Sequence, residues 1–559
     1  MKCRIVIFVL SCLVSLTTRV LAQSSYAPLN EDYYHLIERY EISNGQQSTG
    51  FETALKPYRR RAIGHFVDSL ALSKSSSQDD FNRRYLADDN WDYAHTADSL
   101  LETALLTHFF RRPSDFWHLQ RKEITLHVNP VLHWELGQDG SGNGLAYTNT
   151  RGMQVHGTID QKVDFYSYLG ENQIVFPDYV NDYVRRTLTV PYEGFWKGIA
   201  DGRGVDFLTA RGHVGFQATR HIHFQLGHGK HFVGSGYRSM ILSDFSNNYL
   251  FVRIDTDVWR LHYTNLFAQL TSDIVGNPTG LFGTIEFIPK YLAFHRLGVR
   301  LGKRVSIGAF EAVIHGDGSG NFDFDYLNPI IFYRAVEQQQ GSTGNALLGL
   351  DANAILGNSV ELYGQAVLDE LVIGEVRSGA GWWGNKYALQ IGGKYVNALD
   401  VNNLDLQLEY NRARPYTYAH EDLYRSYTHY EQPLAHPLGA NFDEVVGIVR
   451  YQPLNRLSLK GKLIRAHSGA DRDSTNWGGN VLLDNRERER DYGNQLRQGV
   501  ATELLVAELI ASYQVWHNVF FDLRYLRRGR SAPETGLDEQ SRFASLALRW
   551  NIRQRNYDF

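Results

Sequence analysis

The chain predicts an all-β transmembrane barrel of about 18 antiparallel strands, preceded by a small N-terminal helical bundle. Three observations carry that prediction. From Ile124 onward, apolar and polar residues alternate with a period of two, the signature of strands with one apolar and one polar face. The connections between the alternating stretches are by turns short and long, as in outer-membrane barrels. No apolar run after the N-terminus approaches 18 residues, which excludes a helical span. The composition agrees: 33 Tyr, 29 Phe and 50 Gly in 559 residues suit a large all-β protein with many turns.

The N-terminus reads as a secretory leader covering residues 1–22. It has a basic start (Lys2, Arg4), an apolar stretch from Ile5 to Val14, and Val20-Leu21-Ala22 before Gln23. A lipobox at Cys12 is the rival reading, and the short apolar run before it argues against lipidation. Both cysteines, Cys3 and Cys12, lie in this leader, so the mature chain has no disulfide framework, cysteine nucleophile or zinc–thiolate site. Without Lys2, Arg4 and Arg19, the 57 basic residues fall to 54 against 61 acidic ones. That mild negative charge argues against nucleic acid as a partner.

Residues 23–122 do not alternate. Leu29 to Ile42 and Ala54 to Leu72 read as helices, and Thr96 to Phe110 places Leu101, Leu105 and Phe109 on one helical stripe. Ser99 and Glu102 resemble a capping box at its start. Two readings stand: a small periplasmic helical bundle, and a loose leader that orders only against the barrel.

Residues 123–559 form the barrel. The predicted strands are 124–138, 146–159, 162–175, 206–218, 221–230, 247–256, 258–273, 289–301, 304–315, 345–355, 358–371, 386–398, 402–418, 442–453, 455–468, 500–514, 516–529 and 541–553. Leu404 to Asn411 is the clearest case, with Leu404, Leu406, Leu408 and Tyr410 opposing Asp405, Gln407, Glu409 and Asn411. Many strands are long enough to cross a bilayer at a tilt. An open sheet edge cannot be satisfied in hydrocarbon, so the sheet must close. The first link is long, which places both termini in the periplasm. The final Phe559, with Tyr557 before it, resembles the C-terminal aromatic signal of outer-membrane proteins.

Two segments carry a family resemblance. The loop from His228 to Tyr249 with its flanking strands, and the stretch from Phe322 to Leu371, together resemble the capsule-assembly Wzi-type outer-membrane proteins. The nearest likeness is to the Bacteroidota branch that includes gliding-motility RemB-type proteins. The resemblance is strongest over residues 200–400. The family's fold is an 18-stranded barrel with an N-terminal helical element, and that knowledge informs the count of eighteen. The resemblance implies a role at the cell surface, holding or organising polysaccharide or serving surface motility; it carries over no ligand residues.

Among candidate residues, the glycine-rich loop offers Lys230, His231, Tyr237, Arg238 and Asp244, which fit either a plug folded into the lumen or a ligand site. Arg334 and Glu337 are expected as paired ions in the lumen. His221, His223, His228 and His231 are expected as lumen-facing side chains rather than a metal site, because no carboxylate spacing completes one. Trp382 and Trp383, and Tyr416, Tyr418, Tyr424 and Tyr427, are the glycan-binding candidates, since sugars stack their C–H faces on flat rings. The interfacial aromatic belt is the competing account of the same residues. Arg486 to Asp491 reads as a solvated loop. No stretch singles out the opposed carboxylate pair of a glycosidase, and GSGYR at Gly234 only approaches a nucleophile-elbow motif. The reading is therefore a non-enzymatic barrel without cofactor or metal. Its partners are outer-membrane lipid, surface polysaccharide and envelope proteins. A component of a gliding-motility or surface-secretion apparatus and a diffusion channel are the alternatives.

Overall fold

The computed structural model describes residues 24–559 except 73–74, 98–108, 141–143, 200–201, 276–286, 317, 319, 331, 341–343 and 473–474. The leader, and most of the helix expected over Thr96 to Phe110, lie outside the described residues.

The described residues form a closed antiparallel barrel of 18 long strands. In chain order these are β1 (Ile124–Asp139), β2 (Leu145–Ile159), β3 (Val163–Val175), β4 (Gly204–Gln217), β5 (Ile222–Gly229) and β6 (Tyr249–Val258). They continue with β7 (Leu261–Val275), β8 (Phe287–Leu301), β9 (Val305–His315), β10 (Asn345–Leu356), β11 (Val360–Glu370) and β12 (Lys386–Tyr395). The last six are β13 (Leu404–Ala413), β14 (Phe442–Leu454), β15 (Leu457–Ala470), β16 (Val500–Trp516), β17 (Val519–Ala532) and β18 (Leu537–Trp550). Closure comes from β18 pairing β1, with Phe543 opposite Asp139 and Trp550 opposite Leu132. No backbone edge is left to hydrocarbon.

Period-two alternation sorts the side chains across the wall. On β17, Leu523 is 57 % exposed outward while Arg524 is 5 % exposed inward. Inward charges pair across strands or with the lumen's contents: Glu508 accepts from Arg524 Nε at 2.6 Å and pairs with Lys462 at 2.8 Å.

Three helices, α1 (Glu31–Ser43), α2 (Arg60–Asp68) and α3 (Ser77–Asp89), cap the short-turn end. Asn30 caps α1 through its side chain, and Ser76 with Asp79 forms a capping box on α3. Tyr40, Tyr58, Ile63, Val67 and Leu86 form the helices' own apolar core. Their polar faces dock on the strand-to-strand turns. Gln47 N–H donates to Lys303 C=O, Arg304 Nε to Gly45 C=O, and Asn82 Nδ2 to Gln452. Arg39 reaches Asp405 at 2.6 Å and Asp79 at 3.1 Å, and also donates to Asn397 and Asn403. The cap extends into the barrel, where Lys394 lies between Glu38 (2.9 Å) and Glu361 (3.0 Å).

Candidate functional site

The lumen is filled from three directions. The segment between β5 and β6 folds inward as a plug. Leu55–Lys56 of the cap pairs antiparallel with its Phe232–Val233, a two-strand sheet inside the barrel. Met240, Ile241 and Leu242 are wholly buried in an apolar cluster with Phe294, Phe310 and Ile314. Glu409 on β13 holds the plug's bend. Its carboxylate accepts the N–H of Tyr237 at 2.7 Å and of Arg238 at 3.0 Å, the Tyr363 hydroxyl at 2.8 Å and Asn411 Nδ2 at 2.8 Å. Arg238 bridges Glu444 (3.1 Å) and Asp558 (3.2 Å), and Lys462 also pairs with Asp558 (2.9 Å). This network ties plug, wall and C-terminal tail together.

Residues after Trp550 turn back into the lumen instead of extending β18. Tyr179 donates to Tyr557 C=O, and Phe559 packs on Tyr183 and Phe245. The terminal aromatic is thus a packed lumen residue, away from the end of the last strand. Tyr179 and Tyr183 belong to α4 (Asp178–Thr187), which folds in from the long loop between β3 and β4.

Between cap, plug and tail lies a cavity of about 230 Å³, lined in part by His35, Tyr166, Tyr192, Arg211, Tyr237 and Tyr557. Lys230 beside it donates to Asp244 C=O at 3.2 Å. Burial pushes its ammonium down to about 7, opposed by Glu193. His231 is buried against Tyr249 and Phe251, and Asp244 pairs with Arg553. Lys230, His231, Tyr237, Arg238 and Asp244 thus stand together in the lumen. His223 also faces inward, against Asp164 and Tyr26, whereas His228, expected in the lumen, is exposed on the outward face of β5 with Leu226. Among the described residues, no group of three potential ligands is placed to hold a metal ion.

Arg334 and Glu337 are not lumen residues. Both lie on α5 (Tyr333–Gln340), which packs on the outside of the barrel. The Arg334 side chain is exposed and its N–H donates to Glu311 on the outer face of β9. The reason is local. At the level of Leu266, Phe294 and Phe310 the lumen face of β7–β9 is apolar, so Glu311 and His295 of the neighbouring positions stand outside.

At the long-loop end, Trp382 and Trp383 are half-buried and adjacent, with ring centroids 6.0 Å apart. The Arg488 guanidinium lies 4.1 Å from the centre of the Trp383 ring, and Arg490 lies 5.3 Å from that of Trp477. Backbone bonds from Trp383 N–H to Asp491 C=O and from Gly493 N–H to Ala380 C=O join the two loops. The stretch Arg486 to Asp491 is solvated as expected except at Arg488, and with exposed Tyr492 it contributes to an aromatic–arginine surface. Trp477 and Tyr492 carry the same signal, aromatics among glycines in a long loop, that singles out Trp382 and Trp383. Tyr416, Tyr418, Tyr424 and Tyr427 are different: all four are fully buried. Tyr418 donates to Met240 C=O of the plug, Tyr416 to Asn476 C=O of a neighbouring long loop and Tyr424 to Pro289 C=O of the wall, so these buried rings pack the loop down and offer no face to a ligand in this conformation.

No family model matches the chain, and no curated protein matches its sequence. Solved structures do. Wzi of Escherichia coli, described as an outer-membrane protein involved in group 1 capsule assembly and a carbohydrate-binding β-barrel, superposes with a TM-score of 0.60 at 13 % identity, covering 95 % of this chain and 100 % of Wzi. OprD of Pseudomonas aeruginosa matches at a TM-score of 0.41 and 10 % identity, over 76 % of this chain and 94 % of OprD. The fold is that of an outer-membrane β-barrel.

Proposed function

We propose that this chain is a non-enzymatic outer-membrane barrel that binds or organises cell-surface polysaccharide through its long-loop end. The observation that carries the reading is the patch of Trp382, Trp383, Trp477 and Tyr492 interleaved with Arg488, Arg490 and Asp491. Flat rings take the C–H faces of sugars, and the charged neighbours bond their hydroxyls. The similarity of fold to a barrel described as carbohydrate-binding supports it. Residues 23–122 are then the periplasmic segment and 123–559 the barrel, with both termini periplasmic and the leader removed. Short turns face the periplasm in such barrels, and the cap sits on the short turns. With no cysteine after Cys12, single cysteines at Gly374 and at Trp259 test this: an impermeant thiol reagent on intact cells should label the first and spare the second.

The binding test is retention of isolated surface polysaccharide by the purified barrel, with Trp383→Ala and Arg488→Ala beside it. Each base–aromatic-type stacking contact is worth about 1–3 kcal/mol, and we expect a sugar–Trp contact of similar size, so Trp383→Ala should weaken retention about tenfold. Unchanged retention would defeat the reading. A second reading, a component of a gliding-motility or surface-secretion apparatus, is favoured by Ser77, Asp80 and Arg84, which form an exposed stripe on α3 opposite its docked face. Envelope partners recovered with the full chain and lost on Asp80→Lys with Arg84→Glu would support it. The filled lumen weighs against a diffusion channel, and near-zero conductance in planar bilayers is expected.

A further inference from the structure

The outer wall formed by β7, β8 and β9 carries polar groups where a membrane barrel normally presents apolar ones. Asn265, His295 and Glu311 stand in register across the three strands, and His315 is opposite Tyr291 near the loop end. All of them face away from the lumen, because their neighbours Leu266, Phe294, Phe310 and Ile314 pack inside against the plug. Glu311 is only 1 % exposed and His315 only 2 %. What covers them is the described part of the segment between β9 and β10, chiefly residues 320–330 and 332–336, which lies along the barrel's exterior. The Tyr326 ring stacks on His315 at 4.3 Å and the Tyr333 ring on His295 at 4.6 Å. Glu311 accepts the N–H of Tyr333 at 2.8 Å and of Arg334 at 3.0 Å. Tyr263 and Tyr291 donate to the backbone carbonyls of Pro329 and Gly320. The outer surface of this flap is apolar: Ile330 is 83 % and Phe332 64 % exposed, with Phe324 and Leu327 alongside. An exposed crest of that kind on a barrel wall meets acyl chains.

The cluster beneath the flap is incompletely satisfied. Both ring nitrogens of His315, Nδ1 of His295, the Tyr333 hydroxyl and Oδ1 of Asn265 are buried without a hydrogen-bond partner. Buried polar atoms without partners are costly, and ionisable groups at membrane depth mark function. We propose that this cluster is a lateral binding site for the uncharged, hydroxyl-rich head group of a membrane amphiphile, with the flap as its movable cover. The chemistry selects the ligand. Imidazole nitrogens, a phenol and an amide oxygen offer both donors and acceptors to hydroxyls. The Glu311 carboxylate accepts hydroxyl protons but repels phosphate. The flap's crest of Ile330 and Phe332 lies where the chains of such a molecule would run. The site is distinct from the loop-end patch and does not depend on the polysaccharide reading, only on the barrel spanning a bilayer.

The test uses the full-length barrel in nanodiscs of phosphatidylcholine doped with a diglucosyl diacylglycerol or, in a parallel arm, with phosphatidylglycerol. Lipid retained after delipidating exchange is counted by native mass spectrometry. We expect the glucosyl lipid to be enriched about tenfold over phosphatidylcholine, equivalent to about 1.4 kcal/mol. Tyr333→Phe, which keeps the stacking on His295, should cut the enrichment several-fold, and His315→Phe should abolish it. Heat-modifiable migration on gels confirms that each variant remains a folded barrel. Equal retention of all lipids, enrichment of the anionic lipid instead, or enrichment untouched by Tyr333→Phe would overturn the proposal.

Discussion

Two stretches of the same barrel wall sort their side chains differently at mid-height. From β15 to β18 the interior is ionic and the exterior apolar: Lys462, Glu508 and Arg524 pair inside, while Leu463, Leu509 and Leu523 face outward. From β7 to β9 the middle of the inner face is apolar, packed on Met240 to Leu242 between the buried cations Lys290 and Arg296, and the exterior holds His295, Glu311 and His315 beneath a flap. The difference teaches that alternation identifies a strand but does not say which face meets lipid. What the lumen contains decides that. Where the plug is apolar, the wall turns its apolar face inward, and the chain must supply a second lipid-facing layer outside.

This contrast can be broken at several places. The largest effect is expected at the ionic lumen. Arg238→Ala takes the shared cation from Glu444 and Asp558 and leaves them only His436 and Lys462 as ionic partners, so the loss should lie at the lower end of the about 3–5 kcal/mol for removing one partner of a buried pair. The plug should loosen, and conductance in planar bilayers should appear where wild type shows almost none. Second, Leu523→Arg on the regular wall should cost about 2–4 kcal/mol in lipid, the penalty for a cation near mid-bilayer, measured as a lower urea midpoint for unfolding from vesicles. Third, Glu311→Leu makes the irregular wall conform to the simple rule. It removes the acceptor of two backbone N–H groups, and charged hydrogen bonds contribute about 1.5–3 kcal/mol each. We expect the 321–337 segment to become protease-sensitive while the barrel stays folded; an unchanged cleavage pattern would show that the flap does not depend on Glu311. Fourth, Ile330→Trp should fluoresce from a lipid environment and be quenched by brominated acyl chains, with little effect on stability.

The smallest effect concerns pH at the cap. Burial, opposed by hydrogen bonds from the Ser48 N–H and the Thr53 hydroxyl, pushes Glu41 up to about 8. The folded cap therefore holds a proton that the unfolded segment releases near 4.5. Its contribution is fully present below that value and is lost as pH rises through about 8. Hydrogen-exchange protection of residues 48–53 should decline across that window, and Glu41→Gln should flatten the decline.

Much of the architecture was legible in the residues. Leu404 to Asn411 declared its strand, because a two-residue period needs no knowledge of neighbours. The glycine-rich segment from Gly227 fitted either a plug or a ligand site, and the structure folds it inward with Lys230, Tyr237 and Arg238 in the lumen. Other residues misled for a common reason. Tyr416, Tyr418, Tyr424 and Tyr427 look like a sugar platform in a long loop, but the loop folds against plug, wall and a neighbouring loop and buries them. Arg334 looks like a lumen ion, but its helix docks outside. Arg488 looks solvated, yet it covers Trp383 because a second loop, remote in sequence, lies alongside.

By itself the sequence determined the strands, the alternation of short and long links, and two of the three cap-forming helices, α1 and α2, which are properties of local period and composition. The count of eighteen leaned on the family resemblance, and α3 falls where the sequence reading places no helix. Only the tertiary structure decided which wall is ionic inside, where the tail and flap go, and which aromatics remain accessible. Those outcomes depend on what each loop packs against, and a loop's partner is chosen by shape and charge across hundreds of residues rather than by its own pattern.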